Sequence, residues 1–403
     1  MIVPSIVNSA DWSWLERIIA AKSIIYNCKI QEYWVRFARD SFESMVNVTK
    51  SFLPDFSEYE KYLRRIWSSG HLTNNGPLAL ELEEKLKELL GVKHLLFTSN
   101  GTIVLQMALK VYGITKEVIT TPFSYVATTN AILWEGCQPV FADINNVNFC
   151  IDSKKIEEKI TENTQAILVT HVYGYPCDID EIEKIADKYS LKVIYDAAHA
   201  FGCTYKGKSL LSFGDISTCS FHATKLFHTV EGGCIISNDG AIAEKLRLFR
   251  QFGHVGDEYF SMGINAKNSE FHAAMGLCIL PHLNQLIESR MKVSAMYDDR
   301  LKGIKLQRPT STEQLTYNYA YYPVIFKSEQ VLLQVRAAMM LQGINPRRYF
   351  YPSLNQLKFV AYREMSLSED ISKRVLSLPL YPDLAVDDVD RICEIILSNV
   401  GVK

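Results

Sequence analysis

Lys225 stands between two apolar runs that read as buried strands, Ile216 to Phe221 before it and Cys234 to Ser237 after it, the second preceded by the glycine pair Gly232-Gly233. A lysine delivered there can lose its hydration, which disfavours the ammonium, lowers its pKa and yields an amine able to attack carbonyl carbon. The alternative is a solvated lysine in a turn, because lysine is seldom buried without a task. Three further stretches bear on the choice. Ser99-Asn100-Gly101-Thr102 lies where a short strand, His94–Thr98, gives way to a helical run. A glycine there lets the backbone come close, and the first N–H groups of a helix face outward, so the turn can cradle a phosphate; it can equally be a plain N-cap. Asp196 ends the apolar strand Lys192–Tyr195 among small residues, with His199 three positions on. A carboxylate buried there needs a cation or strong donor opposite it, unless it only caps the next turn. Phe123, in Thr121-Pro-Phe-Ser-Tyr125, can cover a planar ring or serve as core.

A phosphate cradle, a carboxylate and a desolvated lysine, in that order, match the needs of one cofactor. Pyridoxal 5'-phosphate requires a phosphate anchor, an acid that keeps its ring nitrogen protonated, and a Schiff-base lysine.

These residues need rigid elements behind them. From Asn74 onward, strands alternate with helices: a leucine stripe Leu78, Leu82, Leu86, Leu89 and Leu90 ended by Gly91, then strands at Glu117–Thr120, Pro139–Ala142 and Ala166–Thr170, with helices at Lys154–Ile160 and Asp180–Tyr189. That alternation indicates an α/β domain with a mostly parallel sheet, which places ligands at strand ends. Helical text dominates Ala241–Phe252 and Phe271–Asp299. A strand at Tyr319–Phe326 and helices at Gln330–Leu341 and Val386–Asn399 then make a smaller α+β domain. The expected division is an N-terminal extension over 1–44, with one or two amphipathic helices, a large domain over 45–295 and a small domain over 296–403. Of the 403 residues 48% are hydrophobic and 22% charged, and the net charge of −2 carries no basic stripe, which argues against nucleic acid or an anionic membrane as partner. The nine cysteines form no C-x-x-C pair, so neither a disulfide framework nor a metal site is expected, and a cytoplasmic location fits. No run has transmembrane length and no signal segment is evident, so the sequon Asn47-Val-Thr49 is read as chance.

Taken in order, Ser99-Asn-Gly-Thr102, Thr121-Pro-Phe-Ser124, Asp196-Ala-Ala-His199, Ser220-Phe-His-Ala-Thr-Lys225, Glu231-Gly-Gly233 and Gly263-Ile-Asn-Ala-Lys-Asn-Ser-Glu270 resemble the DegT/StrS-type sugar aminotransferases, from about Met45 to the C-terminus. The resemblance implies the pyridoxal-phosphate fold type I, a large domain with a mostly parallel seven-stranded sheet between helices and a smaller α+β domain. It implies that Lys225 is the Schiff-base lysine and that Asp196 pairs with the ring nitrogen. His199 then bonds the ring hydroxyl, Phe123 stacks on the ring, and Gly101, Thr102 and Ser220 bind the phosphate. Asn265 reaches it from the neighbouring subunit of a homodimer. Where relatives commonly carry arginine this chain has Lys267, a point charge in place of a planar fork. The cofactor would cycle through pyridoxamine 5'-phosphate, with L-glutamate as amino donor and a nucleotide-linked keto sugar as acceptor. Phe221-His222, Glu231 and Arg347-Arg-Tyr-Phe-Tyr-Pro352 resemble members acting on dTDP-4-keto-6-deoxy sugars, for lipopolysaccharide or O-antigen, with His222, Lys267 and Tyr349 as candidate substrate contacts. A 3-keto acceptor, or a non-catalytic binding relative on the same fold, are the alternatives.

Overall fold

The computed structural model describes residues 45–310 and 312–400. The expected helices of the N-terminal extension lie outside the described residues. The chain separates into a unit of residues 1–46 and a unit of residues 47–403, and the central sheet and its helices belong to the second.

Seven strands form the central sheet: β1 (His94–Thr98), β2 (Glu117–Thr120), β3 (Gln138–Phe141), β4 (Thr164–Thr170), β5 (Lys192–Asp196), β6 (Ile216–Ser220) and β7 (Gly233–Ser237). Their order is β1-β7-β6-β5-β4-β2-β3, parallel except for β7, which runs antiparallel to both neighbours. Successive side chains on a strand point to opposite faces, so near-continuous apolar strands imply that both faces are covered. In β4, Ala166 and Leu168 join a core with α3 (Gly101–Val111), α4 (Val126–Trp134) and α6 (Gly240–Arg250), while Ile167 and Val169 join a core on the other face. That second core takes in α2 (Pro77–Leu90), α5 (Ile179–Tyr189), α7 (Glu270–Ile279) and α8 (Leu283–Arg300). Each fully buried Leu or Ile side chain contributes about 1.5–3 kcal/mol.

Local chemistry accounts for most of the boundaries. Gly91 closes α2 in the left-handed conformation, as expected, although Leu89 of the stripe is exposed. The α2 N-terminus has no cap of its own; Glu270 accepts from Leu78 N and Ala79 N at 2.7 and 2.9 Å. The helix read over Phe271–Asp299 breaks at Pro281, whose missing N–H ends α7 and begins α8 after one 3-10 turn. The helix expected over Lys154–Ile160 is instead two 3-10 turns, Ser153–Lys155 and Glu157–Lys159. Only Ile156 is fully buried there, and a single apolar anchor does not hold several helical turns. α1 (Phe56–Ser69) was not expected, although Asp55 caps Ser57 N at 2.8 Å and Gly70 closes the helix.

Buried polar contacts fix the strand ends near the site. Glu83 accepts from Phe97 N at 2.7 Å and pairs with Arg250, which donates to Phe97 O at 2.9 Å. Both charges are nearly inaccessible, so removing either partner would strand the other. The pair holds β1 as it runs toward Asn100. In the C-terminal part, β8 (Tyr322–Ile325) pairs antiparallel with β9 (Val375–Leu378), covered by α9 (Glu329–Leu341), α10 (Ser366–Arg374) and α11 (Val386–Val400). The loop after α9 is tied to the sheet by Leu354 N donating to Pro122 O at 2.8 Å and by the Tyr173 hydroxyl donating to Tyr349 O.

Candidate active site

The C-terminal ends of β1, β2, β5 and β6 open on a cavity of about 300 Å³. Its lining includes Gly101, Thr102, Asp196, His199, Ser220, His222, Lys225 and Tyr349, so eight separately read residues are brought together.

At β1, Asn100 Oδ1 accepts from Thr102 N and Ile103 N at 3.0 and 2.9 Å, capping α3. With those two N–H groups committed, the Gly101 N–H and the hydroxyls of Thr102 and Ser220 are the donors left at the helix start. A Cβ on Gly101 would sit 2.6 Å from Ser220 Cβ, and one on Gly233 would sit 2.6 Å from Asn100 O, so both glycines are demanded by close approach. The result is an anion cradle at a helix N-terminus. Gly101→Ala is therefore expected to push the end of β6 away and raise the Kd for pyridoxal phosphate at least about tenfold. Fluorescence titration measures it, and an unchanged Kd removes Gly101 from the cradle.

Asp196 ends β5 with 6% exposure. Its Oδ2 accepts from Thr128 Oγ1 at 2.8 Å and its Oδ1 from Ala198 N at 3.1 Å. Burial raises its pKa, against the lowering effect of those bonds and of Lys225. A cation opposite it would reverse that balance. His199 Nδ1 accepts from Tyr173 N at 3.2 Å, which leaves the ring proton on Nε2 as a donor. Burial, then Lys225, holds its pKa well below the ordinary value, so the ring is neutral.

Lys225 lies in the loop between β6 and β7, half-buried, with Nζ 3.3 Å from the Tyr321 hydroxyl. The expectation of a lowered lysine pKa is not met. Burial pulls it down, but Tyr321, Asp196 and Cys219 together push it above its ordinary value. The carboxylate that suits a cationic ring also stabilises a lysine cation while no ring is there.

Phe123 departs from expectation. It is fully buried with edge contacts to Phe149, Tyr173 and Phe350 at 6.2, 6.2 and 5.6 Å, and it does not border the cavity. The turn carries Tyr125 to the cavity instead. Asn265 is exposed and accepts from Lys267 Nζ at 2.8 Å; the lysine sits 4.9 Å over the Phe252 ring, and neither residue borders this cavity. His222 does, with Nδ1 bonded to Thr224 Oγ1 at 2.8 Å and Nε2 3.5 Å from Glu231. Sequence reasoning missed Thr128 and Tyr321, and it quoted Arg347 in a motif without giving it a role. Thr128 had a legible signal, four residues after Ser124 in the first turn of α4, whereas Tyr321 sits in a tyrosine-rich run with nothing to single it out. No cluster of metal-binding side chains occurs among the described residues.

The donor set fits pyridoxal 5'-phosphate: hydroxyls and a helix start for a dianion, a buried carboxylate for a protonated ring nitrogen, a neutral histidine donor and a primary amine, around a slot of suitable size. Comparison with known proteins agrees. Residues 55–397 match the model of the DegT/DnrJ/EryC1/StrS aminotransferase family. The chain is 40% identical over 370 residues to a dTDP-4-amino-4,6-dideoxy-D-glucose transaminase of Shigella dysenteriae, covering 89% of this chain and 99% of the relative. It is 33% identical to a dTDP-3-amino-3,6-dideoxy-alpha-D-galactopyranose transaminase of Aneurinibacillus thermoaerophilus, covering 84% and 94%. The crystal structure of DesI in the presence of its TDP-sugar product superposes with a TM-score of 0.83 at 31% identity, over 87% of this chain and 92% of that one. The chain is thus a pyridoxal-phosphate enzyme that transfers amino groups, and it belongs to the DegT/DnrJ/EryC1/StrS aminotransferase family.

Proposed function

We propose that this aminotransferase moves the amino group of L-glutamate to C4 of dTDP-4-keto-6-deoxy-D-glucose, giving 2-oxoglutarate and dTDP-4-amino-4,6-dideoxy-D-glucose for glycan or O-antigen synthesis. The observation that carries this reading is the 40% identity spanning nearly the whole Shigella relative. The eight expected residues gathered at one cavity support it.

Pyridoxal phosphate supplies the electron sink and the carbonyl through which the amino group passes. The chain's own residues do the rest. Gly101 N–H and the hydroxyls of Thr102 and Ser220 hold the phosphate. Asp196, oriented by Thr128 and Ala198, keeps the ring nitrogen's proton in place, which matters in the transition state rather than for binding. His199 Nε2–H would donate to the ring hydroxyl, and Tyr125 would take the role expected of Phe123. Lys225 Nζ would be the group that accepts the α-carbon proton of glutamate and gives it up again, and it would do the same in reverse with the sugar. His222 and Tyr349, at the cavity border, contact the sugar. Asn265 and Lys267 serve the cavity of the neighbouring subunit in a homodimer, for which their place outside their own cavity is suited.

The proposed domain division is 45–295 and 296–403, the second carrying Tyr321 and Tyr349 to the cavity, with 1–44 as an extension. The proposed location is the cytoplasm: eight described cysteines are all free and buried, and no described helix is long and apolar enough to cross a membrane.

The 33% identity to a 3-amino transaminase favours a second reading, amination at C3. Both are tested by incubating the loaded protein with L-glutamate and either dTDP-4-keto-6-deoxyglucose or its 3-keto isomer, locating the amine by NMR. Turnover of the 4-keto sugar is expected; turnover of the 3-keto sugar alone overturns the assignment to C4.

A further inference from the structure

Tyr321 has no part in the proposed transfer, yet its hydroxyl is the group that meets Lys225 Nζ, at 3.3 Å. The other candidates near the amine have partners of their own. Both carboxylate oxygens of Asp196, on β5, accept from Thr128 and Ala198. His199, in the following turn, uses Nδ1 to accept from Tyr173 N, so Nε2 bears a proton and cannot accept from an amine. Cys219, on β6, directs its thiol to Ala197 O. Tyr349, from the loop after α9, is set edge-on to Tyr321 at 6.1 Å.

Nor does the position of Tyr321 depend on the lysine. Its ring is packed against His199 at 4.9 Å and Tyr173 at 5.6 Å as well as Tyr349. The backbone before it is pinned by Asn318, whose side-chain amide donates to His199 O and Phe201 O, both at 2.9 Å, and whose Oδ1 accepts from Ala320 N at 3.0 Å. Tyr317 Oη donates to Tyr321 O at 3.3 Å. The hydroxyl is a fixed point, and the lysine is the mobile partner, with four rotatable bonds.

We propose that Tyr321 is a positioning residue for Lys225: its hydroxyl oxygen accepts a hydrogen bond from Nζ whenever the amine is not bonded to the cofactor, and so parks the proton carrier beside the substrate. This rests on Lys225 being the group that moves the proton. When Nζ is a neutral amine, one N–H satisfies Tyr321 and the lone pair stays free for the α-carbon proton. When Nζ has taken that proton, the same contact stabilises the ammonium until it is delivered onward. No proton passes to or from Tyr321. The upward shift of the Lys225 pKa is in keeping with this: burial opposes the charge, and Tyr321 comes before Asp196 among the groups that favour it.

Tyr321→Phe keeps the ring in its packing and removes only the oxygen. In cofactor-free protein, Lys225 acylation by acetic anhydride is followed across pH by peptide mass spectrometry. The half-maximal pH is expected to fall by about one unit in the variant. In the loaded enzyme, kcat is expected to fall on the order of tenfold, with KM for glutamate and for the sugar nucleotide unchanged and a larger isotope effect with 2-deuteroglutamate. An acylation profile identical to wild type overturns the proposal, because any loss of kcat would then come from packing. A shifted profile with unchanged kcat also overturns it, because the contact would exist without aiding transfer. The acylation readout requires no turnover, so its outcome is separate from whether Lys225 carries the proton, which Lys225→Ala decides.

Discussion

Lys225→Ala is expected to abolish amino transfer, lowering kcat at least about 10⁴-fold in the half-reaction with glutamate and in the one with the sugar. No neighbouring group can take over. His199 is neutral with its accepting nitrogen already bonded to Tyr173 N, and Asp196 is committed to the ring nitrogen. The phenol of Tyr349 is pushed up by burial and is less ready still to ionise and act as a base. The fold should survive, because the truncated atoms border a cavity and lose one hydrogen bond, to Tyr321. A lysine whose folded pKa is raised contributes stability that is fully present below the unfolded value near 10.5 and is lost as pH rises through the folded value. Wild type and variant should therefore show a constant difference in melting temperature between about pH 6 and 9. The chemistry behaves differently: the amine must be neutral to accept a proton, so the wild-type glutamate half-reaction is expected to accelerate with pH. Single-turnover kinetics with thermal unfolding of the same samples checks both. More than about 1% residual activity would sink the role given to Lys225.

The parts of this site that could be read from the sequence are those whose neighbours in the chain constrain them. Gly101 follows a strand and begins a helix, Asp196 ends a strand, and Lys225 lies between two strands; each is defined by a local switch in periodicity. The same logic fails where an aromatic lies in a turn. Nothing in Thr121-Pro-Phe-Ser-Tyr125 decides which ring faces inward, and the structure puts Phe123 in the core and Tyr125 at the cavity. The direction of the Lys225 shift was missed for a related reason. Burial is visible in an apolar sequence, but the groups that outweigh it come from distant segments, Tyr321 lying 96 residues away. Lys154–Ile160 failed through length, one buried isoleucine giving only 3-10 turns.

Asp196→Asn separates what the carboxylate does for the cofactor from what it does for the fold. Oδ1 of the amide can still accept from Ala198 N, and its NH₂ can donate to Thr128 Oγ1, freeing that hydroxyl to donate to Ser124 Oγ at 2.9 Å. The shape and hydrogen bonding of the site are thus retained, and the charge alone is lost. Because burial raises the Asp196 pKa, the folded protein binds that proton more tightly than the unfolded chain. Stability linked to this group therefore falls as pH rises from the ordinary value of 3.8 through the folded value, and at neutral pH the ionised carboxylate is a net cost. The cofactor-free variant should accordingly melt at or above the wild-type temperature at pH 7, with the difference shrinking as the pH is lowered toward 4. Adding pyridoxal phosphate reverses the order, since only the carboxylate can pair with a protonated ring nitrogen: wild type should gain stability on loading and the variant much less. Its kcat is expected to fall by about 10³-fold with little change in KM, because the protonated ring matters most when charge develops in the transition state. Paired melting curves with and without cofactor, set beside steady-state kinetics, test both roles of Asp196. A cofactor-free variant clearly less stable than wild type would show that Asp196 is a structural cap; a variant retaining wild-type kcat would show that its charge does not serve the ring.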